Sequence, residues 1–153
     1  MQIGNEPRLQ WHDFAELSAA QLYDVLRFRQ AIFVVEQACA YPDLDGRDQH
    51  AHHLLLHVDG SLAGYLRLMP VPDENRVAIG RVAVAVGRRR QGYAQLLMVD
   101  ALARCRRQYP GSSVTVGAQT YLTAFYANLG FRPTSRPYDD YGIPHIDMAL
   151  PIK

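Results

Sequence analysis

Apolar and polar positions along this chain switch between a period of two and a period of 3.6, and the switches mark out its elements. Residues 9–14 read as a short strand. Ser18 with Gln21 three residues on forms a capping box, and Leu22, Val25, Leu26, Arg29, Ile32 and Phe33 follow at helical spacing. Residues 36–49 hold Pro42, Gly46 and several carboxylates and read as loop. Residues 53–58 are an apolar strand, Asp59-Gly60 is a hairpin turn, and Leu62, Gly64, Leu66 and Leu68 alternate in the strand that follows. A turn at 70–75 leads to a third long strand at 77–86. Ala94, Leu97, Met98, Ala101, Leu102 and Cys105 then recur at helical spacing until Tyr109-Pro110-Gly111 stops them. A strand at 114–116, a short helix at 121–129 closed by Gly130, a strand from Phe131, a polar loop at 138–144 and a strand at 146–150 complete the chain. Strands outnumber helices, and one crossover helix joins two of them. The expected fold is therefore α/β (α+β), a mixed sheet flanked by helices in one domain over residues 1–153.

The junction at residues 82–94 carries the first chemistry. An apolar β-branched run, Val82-Ala83-Val84-Ala85-Val86, passes through Arg88-Arg89-Arg90-Gln91-Gly92-Tyr93-Ala94 into the long helix. Such a strand–turn–helix leaves free backbone N–H groups at the positive end of the helix dipole, which suits a phosphate. Gly92 allows close backbone approach, small Ala94 keeps the helix start open, and the arginines add charge-assisted donors. Neither the three-glycine dinucleotide fingerprint nor the Gly-Lys-Ser/Thr phosphate loop is present. The spacing of Arg89, Gly92 and Ala94 instead resembles the acyl-CoA loop of the GNAT superfamily of N-acetyltransferases.

A second motif follows at the expected distance. Phe125-Tyr126, three residues, then Gly130-Phe131 is similar to the Phe-Tyr…Gly-Phe pattern of that superfamily. Within it, Phe33-Val34-Val35-Glu36-Gln37, Asp45-Gly46-Arg47-Asp48 with His53, and Gly142-Ile143-Pro144-His145 with Met148 resemble the ElaA-type branch. The likeness runs from Trp11 to Met148. One departure stands out: Asp140 and Tyr141 occupy places where that branch has Glu and Asp.

The resemblance implies a mostly antiparallel sheet of about six to seven strands, with the fourth and fifth splayed to admit pantetheine. It implies acetyl-CoA as co-substrate, no metal, and direct transfer of the acetyl group to a primary amine in a ternary complex. The backbones of Val82, Ala83 and Val84 would pair with pantetheine, and Arg89, Arg90, Gln91, Gly92, Tyr93, Ala94 and Gln95 would hold the pyrophosphate. Arg88 reads as a solvent-facing charge. Tyr126 is the implied general acid for the departing thiolate. For the base the residues leave Glu36, His53, Asp140, His145 or a relayed water open, since no carboxylate lies in Arg81-Val82-Ala83-Val84. Of these, Glu36, Asp140 and His145 are the favoured site residues, and His53 alone reads as structural. Glu36 and residues 138–145 are expected to line the acceptor pocket. A non-catalytic acyl-CoA-binding module on the same fold, and a nucleic-acid adaptor using Arg88, Arg89 and Arg90, are the alternatives.

Composition narrows these readings. Net charge is +1, against the basic surplus that bulk nucleic-acid binding needs. No apolar run is long enough for a bilayer, and the first six residues lack the pattern of a signal peptide. A cytoplasmic protein is expected, acting on a small-molecule or peptide amine with no nucleic-acid or membrane partner; a homodimer is the arrangement many GNAT proteins adopt. Two cysteines, Cys39 and Cys105, form no disulfide framework, and both read as buried. His50, His52, His53 and His57 near Asp43, Asp45 and Asp48 match no zinc spacing. Asp43, Asp45, Asp48, Asp139 and Asp140 suggest either a pocket tolerant of cations such as a polyamine or lysine-like amine or, for each taken singly, a solvated loop carboxylate.

Overall fold

The computed structural model describes residues 6–153. Strand β1 (Arg8–Asp13) leads through a 3-10 turn to helix α1 (Ala19–Arg29), which opens on the Ser18/Gln21 capping box. The helix does not stop at Arg29 but widens into a π-helical segment, Gln30–Glu36. The extended loop 37–51 ends at β2 (His52–Val58). Asp59 and Gly60 both take left-handed φ, 52° and 78°, and close the hairpin onto β3 (Ser61–Val71), as the Asp-Gly pair predicts. Strand β4 (Arg76–Val84) completes the meander, and helix α2 (Tyr93–Gln108) crosses over to β5 (Ser113–Gln119). Helix α3 (Thr123–Asn128), with Gly130 beyond it at φ 104°, leads to short β6 (Arg132–Pro133), β7 (Tyr138–Asp140) and closing strand β8 (Ile143–Pro151).

Among the described residues the sheet has eight strands, more than the six or seven expected, in the order β1-β2-β3-β4-β5-β8-β6, with β7 also paired to β8. All pairs are antiparallel except β4–β5, which the α2 crossover makes parallel. The additional strand is β7. Residues 138–144 form a hairpin with β8 rather than a polar loop, because Tyr141 and Gly142, at φ 52° and 85°, supply a two-residue left-handed turn.

Two cores hold the sheet. Leu54, Leu56, Leu66, Leu68, Val77 and Ile79 pack on Leu97, Met98, Leu102 and Cys105 of α2. Gly64 is required there: an added Cβ would meet Leu97 at 3.0 Å and Leu56 at 3.1 Å. On the opposite face Val25 of α1 packs on Leu55 and Tyr65. The simple alternation expected of β3 fails for this reason, since Ala63, Tyr65 and Arg67 are as buried as their neighbours. Cys105 lies in the larger core, where burial pushes its thiol up to about 11. No helix among the described residues is long and apolar enough to cross a membrane.

Candidate active site

Strands β4 and β5 pair for only four residues, Arg76–Ile79 against Ser113–Val116. Beyond them the strands part. The edges of Gly80–Val84 and Gly117–Gln119 face each other across a cavity of about 820 Å3. The unpaired edge of β4 offers backbone donors and acceptors in strand geometry, which suits an amide-bearing chain laid alongside it. Its first turn is distorted. The register with β3 slips between Tyr65 and Arg67, and Arg81 sits at φ 53°, a left-handed bulge without glycine. Asp43 holds that bulge by accepting from Arg81 Nε at 2.8 Å, while the guanidinium lies 5.3 Å from the centre of the Tyr41 ring.

Below the splay, β4 turns through Val86–Arg88, and Arg90 and Gly92 adopt left-handed φ of 63° and 81°. Gly92 is the N-cap of α2, and no side chain caps this end. The first N–H groups of the helix therefore look into the cavity wall formed by Arg90, Gly92, Tyr93, Ala94 and Gln95. Two of the residues expected at this loop behave differently. Gln91 does not line the cavity. Arg89 lines it, but its side chain donates to the Val84 carbonyl at 3.0 Å and binds Glu36 through both terminal nitrogens at 2.5 and 2.6 Å. Arg88 reaches back to Asp59 at 3.1 Å.

Glu36, at the end of the π-helical segment, thus pairs with Arg89 of the loop before α2 and lines the cavity beside it. Its hydrogen bonds and charge contact with Arg89 hold its carboxyl below the ordinary glutamate range. The π turn explains its placement: Gln37 and Cys39 N–H reach back five residues to the Ile32 and Val34 carbonyls, and Ile32, Phe33 and Glu36 all line the cavity.

Tyr126 is 5 % exposed and packs edge-on against Phe125 and Phe131, with ring centres 5.0 and 5.8 Å away. Its hydroxyl has no hydrogen-bond partner among the described residues, and the residue lines the cavity on the β5 side. Burial pushes the phenol up to about 12, so it stays protonated at any physiological pH.

His145 on β8 lines the far end of the cavity. Its Nδ1 lies 2.8 Å from the Ile143 carbonyl, which only accepts, so Nδ1 carries a proton and, in the neutral ring, Nε2 carries the lone pair. Asp140 lies 4.0 Å from that Nε2, and Tyr138 stacks on the imidazole with ring centres 6.0 Å apart. Tyr138 is tied in turn to Asp147 at 2.6 Å.

His53 takes no part. It is 1 % exposed, with Nδ1 2.6 Å from the Tyr65 hydroxyl and Nε2 2.9 Å from the Asp48 carbonyl, and burial lowers its basicity. The expected cation-tolerant role of Asp43, Asp45 and Asp48 is also overturned. Arg29, wholly buried, donates to Asp43 at 3.1 Å and Asp48 at 2.7 Å, while Arg67 donates to Asp45 at 2.9 Å and Asp48 at 3.0 Å. These three carboxylates neutralise three arginines inside the protein and offer nothing to a ligand. Sequence reasoning missed this network, and missed Tyr41, Cys39 and Phe33 as cavity walls. One signal was available: Arg67 stands within the apolar run Leu66-Arg67-Leu68, and a buried cation requires a partner.

The comparisons with known proteins fit this geometry. Residues 19–152 match the model of the acetyltransferase (GNAT) domain. Protein ElaA of Escherichia coli (strain K12) is 40 % identical over 149 residues, which cover 94 % of this chain and 97 % of that protein. The crystal structure of Escherichia coli ElaA superposes with a TM-score of 0.89 at 39 % identity, covering 94 % of this chain and 99 % of the other. An acyl-CoA N-acyltransferase from Pseudomonas aeruginosa does so with 0.87 at 38 % identity and the same coverage. The family-model match over residues 19–152 and the likeness to ElaA along nearly the whole chain show that it belongs to the GNAT acetyltransferase family, on its ElaA-type branch.

Proposed function

We propose that this protein is an N-acetyltransferase that moves the acetyl group of acetyl-CoA onto a primary amine by direct attack within a ternary complex. The reading rests on one arrangement above all: a single cavity is bordered by an unpaired strand edge, an uncapped helix N-terminus, a protonated phenol and an imidazole with a free lone pair. Pantetheine lies along Gly80–Val84 as an added strand, and its pyrophosphate meets the N–H groups around Gly92. The acceptor enters from the β7–β8 end, where a small-molecule or peptide amine approaches His145. Nε2 of His145 takes a proton from the ammonium, and the neutral amine attacks the thioester carbonyl. The tetrahedral oxyanion is stabilised by N–H groups on the open edge of β4. Collapse breaks the C–S bond, Tyr126, poised as a donor, protonates the sulfur, and the second proton shed by the acylated nitrogen restores the Tyr126 hydroxyl. A phenol at about 12 is a weaker acid than an unperturbed one, so its main asset is being protonated at all working pH values. Asp140 supports the imidazolium that forms, and Glu36 pairs with Arg89 and so withholds its guanidinium from the phosphates.

Thiol release from acetyl-CoA over a panel of amines tests the reading, with His145→Gln and Tyr126→Phe measured beside the wild type. Each variant should lose about a hundredfold in kcat while binding CoA normally by calorimetry. Tight CoA binding with no turnover of any amine would identify a binding module instead.

A further inference from the structure

The acceptor end of the cavity has a composition of its own, and it differs from what the acidic loops of the sequence suggest. Six charged residues line the whole cavity: Arg81, Arg88, Arg89 and Arg90 against Glu36 and Asp140. Glu36 is bound to Arg89. Asp140 alone has no arginine or lysine partner among the described residues, and it sits beside His145. Asp139, its neighbour, is occupied by the Gly142 N–H at 3.0 Å in the hairpin turn.

The surrounding walls are aromatic and apolar. Tyr41 and Tyr141 face each other with ring centres 5.7 Å apart, and Phe33, Cys39 and Ile143 complete the surface. Both tyrosines are held in place. The Tyr41 hydroxyl donates to Asp43 at 2.7 Å, and that contact, with burial, keeps the phenol from ionising. The Tyr141 carbonyl accepts from the Cys39 thiol at 3.5 Å, which ties the β7–β8 turn to the loop carrying Tyr41. Arg81, which also lines the cavity, lies over the Tyr41 ring. A chain bearing a second ammonium would meet the Arg81 guanidinium, with no second unpaired carboxylate among the described cavity residues to receive it.

Resting on the transferase reading above, we propose that the acceptor is a monoamine with an aromatic or bulky apolar body, its ammonium beside Asp140 and His145 and its body packed against the paired rings of Tyr41 and Tyr141, and that polyamines are excluded. Tyr141 is the selecting residue. It is 61 % exposed at the tip of the hairpin, so its ring contributes contact area to a ligand rather than to the core.

The test compares kcat/KM for phenethylamine, propylamine and spermidine by thiol release from acetyl-CoA, in wild type and in Tyr141→Asn. Asparagine tolerates the left-handed φ of 52° at this position, so the turn survives while the ring is removed. Wild type should prefer phenethylamine to spermidine by about a hundredfold or more, and Tyr141→Asn should lower the phenethylamine-to-propylamine ratio by about tenfold, the scale of lost aromatic stacking and buried area. Spermidine equal to or better than phenethylamine overturns the inference and leaves the transferase reading intact. An unchanged ratio in Tyr141→Asn also overturns it. Absence of turnover with all three amines, alongside normal CoA binding, refutes the transferase reading and this inference together.

Discussion

Replacing Arg29 by methionine tests whether the buried ion network organises the cavity. The perturbation is severe because Arg29 is wholly buried at the end of α1, with Asp43 and Asp48 side chains 2 % and 9 % exposed beside it. Methionine fills the aliphatic volume but deletes three hydrogen bonds: Nε to Asp43, a terminal nitrogen to Asp48 at 2.7 Å, and another to the Asp43 carbonyl at 2.9 Å. Two arginines would then face three carboxylates. Breaking a buried pair from one side costs about 3–5 kcal/mol. Asp43 and Asp48 retain Arg81 and Arg67 respectively, which puts the expected loss at the lower bound, about 3 kcal/mol. With a urea dependence of about 2 kcal/mol per molar, the unfolding midpoint should fall by about 1.5 M. The effect should extend to function, since Asp43 also anchors the Arg81 bulge and the Tyr41 hydroxyl. Equilibrium urea unfolding followed by tryptophan fluorescence and circular dichroism measures the first effect, and calorimetric titration with CoA below the transition measures the second. A midpoint within about 0.3 M of wild type would refute the reasoning, since it would mean the network contributes under 1 kcal/mol.

Three further outcomes are expected. Gly92→Glu should weaken CoA binding by at least about tenfold in calorimetry, because it forces a left-handed φ of 81° on a side chain and sets a carboxylate against the phosphate site; an added Cβ there meets nothing within 4 Å, so a steric clash within the protein would not be the cause. Glu36→Gln should tighten CoA binding by a few-fold at low salt, with the gain shrinking at high salt, because it releases Arg89 to the phosphates; weaker binding would show that the pair serves to hold the loop in shape. Folding stability should be level above about pH 6.5 and fall below it: burial depresses the basicity of His53 and His57, so the unfolded chain binds protons first, and a rise in stability between pH 6.5 and 5 would contradict this. Asp48, held low by Arg29 and Arg67 against the opposing effect of burial, extends the decline to more acid pH by the same sign.

The parts of the structure that could be read in advance were those with a local cause. The Ser18/Gln21 box, the Asp59-Gly60 turn and the Gly92 junction each depend on a few adjacent residues, and each formed where the pattern put it. The Phe125-Tyr126 and Gly92 motifs reached the cavity because they belong to elements that any crossover of this kind brings together. What escaped was set by contacts distant in sequence. Glu36 meets Arg89 across 53 positions, and Arg67 meets Asp45 across 22, so no periodicity announces either pair. The π-helical widening at Gln30–Glu36 likewise has no helix-breaking residue to betray it; the buried guanidinium of Arg29 marks the point where the helix changes pitch. The β7–β8 hairpin was hidden because its turn uses Tyr141, a residue seldom found at left-handed φ, before Gly142.

The parting of β4 from β5 has a consequence for how the protein endures in a cell. On the proposed reading, pantetheine would fill the gap in the middle of the sheet, and folding and cofactor supply would be linked by mass action. A ligand that binds the folded chain alone adds about 2.7 kcal/mol of stability when present at a hundred times its dissociation constant. That is a sizeable share of the roughly 5–15 kcal/mol that separates a folded domain from its unfolded ensemble. The lifetime of this protein against unfolding and proteolysis would then rise and fall with the acyl-CoA pool, so its abundance would record metabolic state even without any dedicated regulatory site.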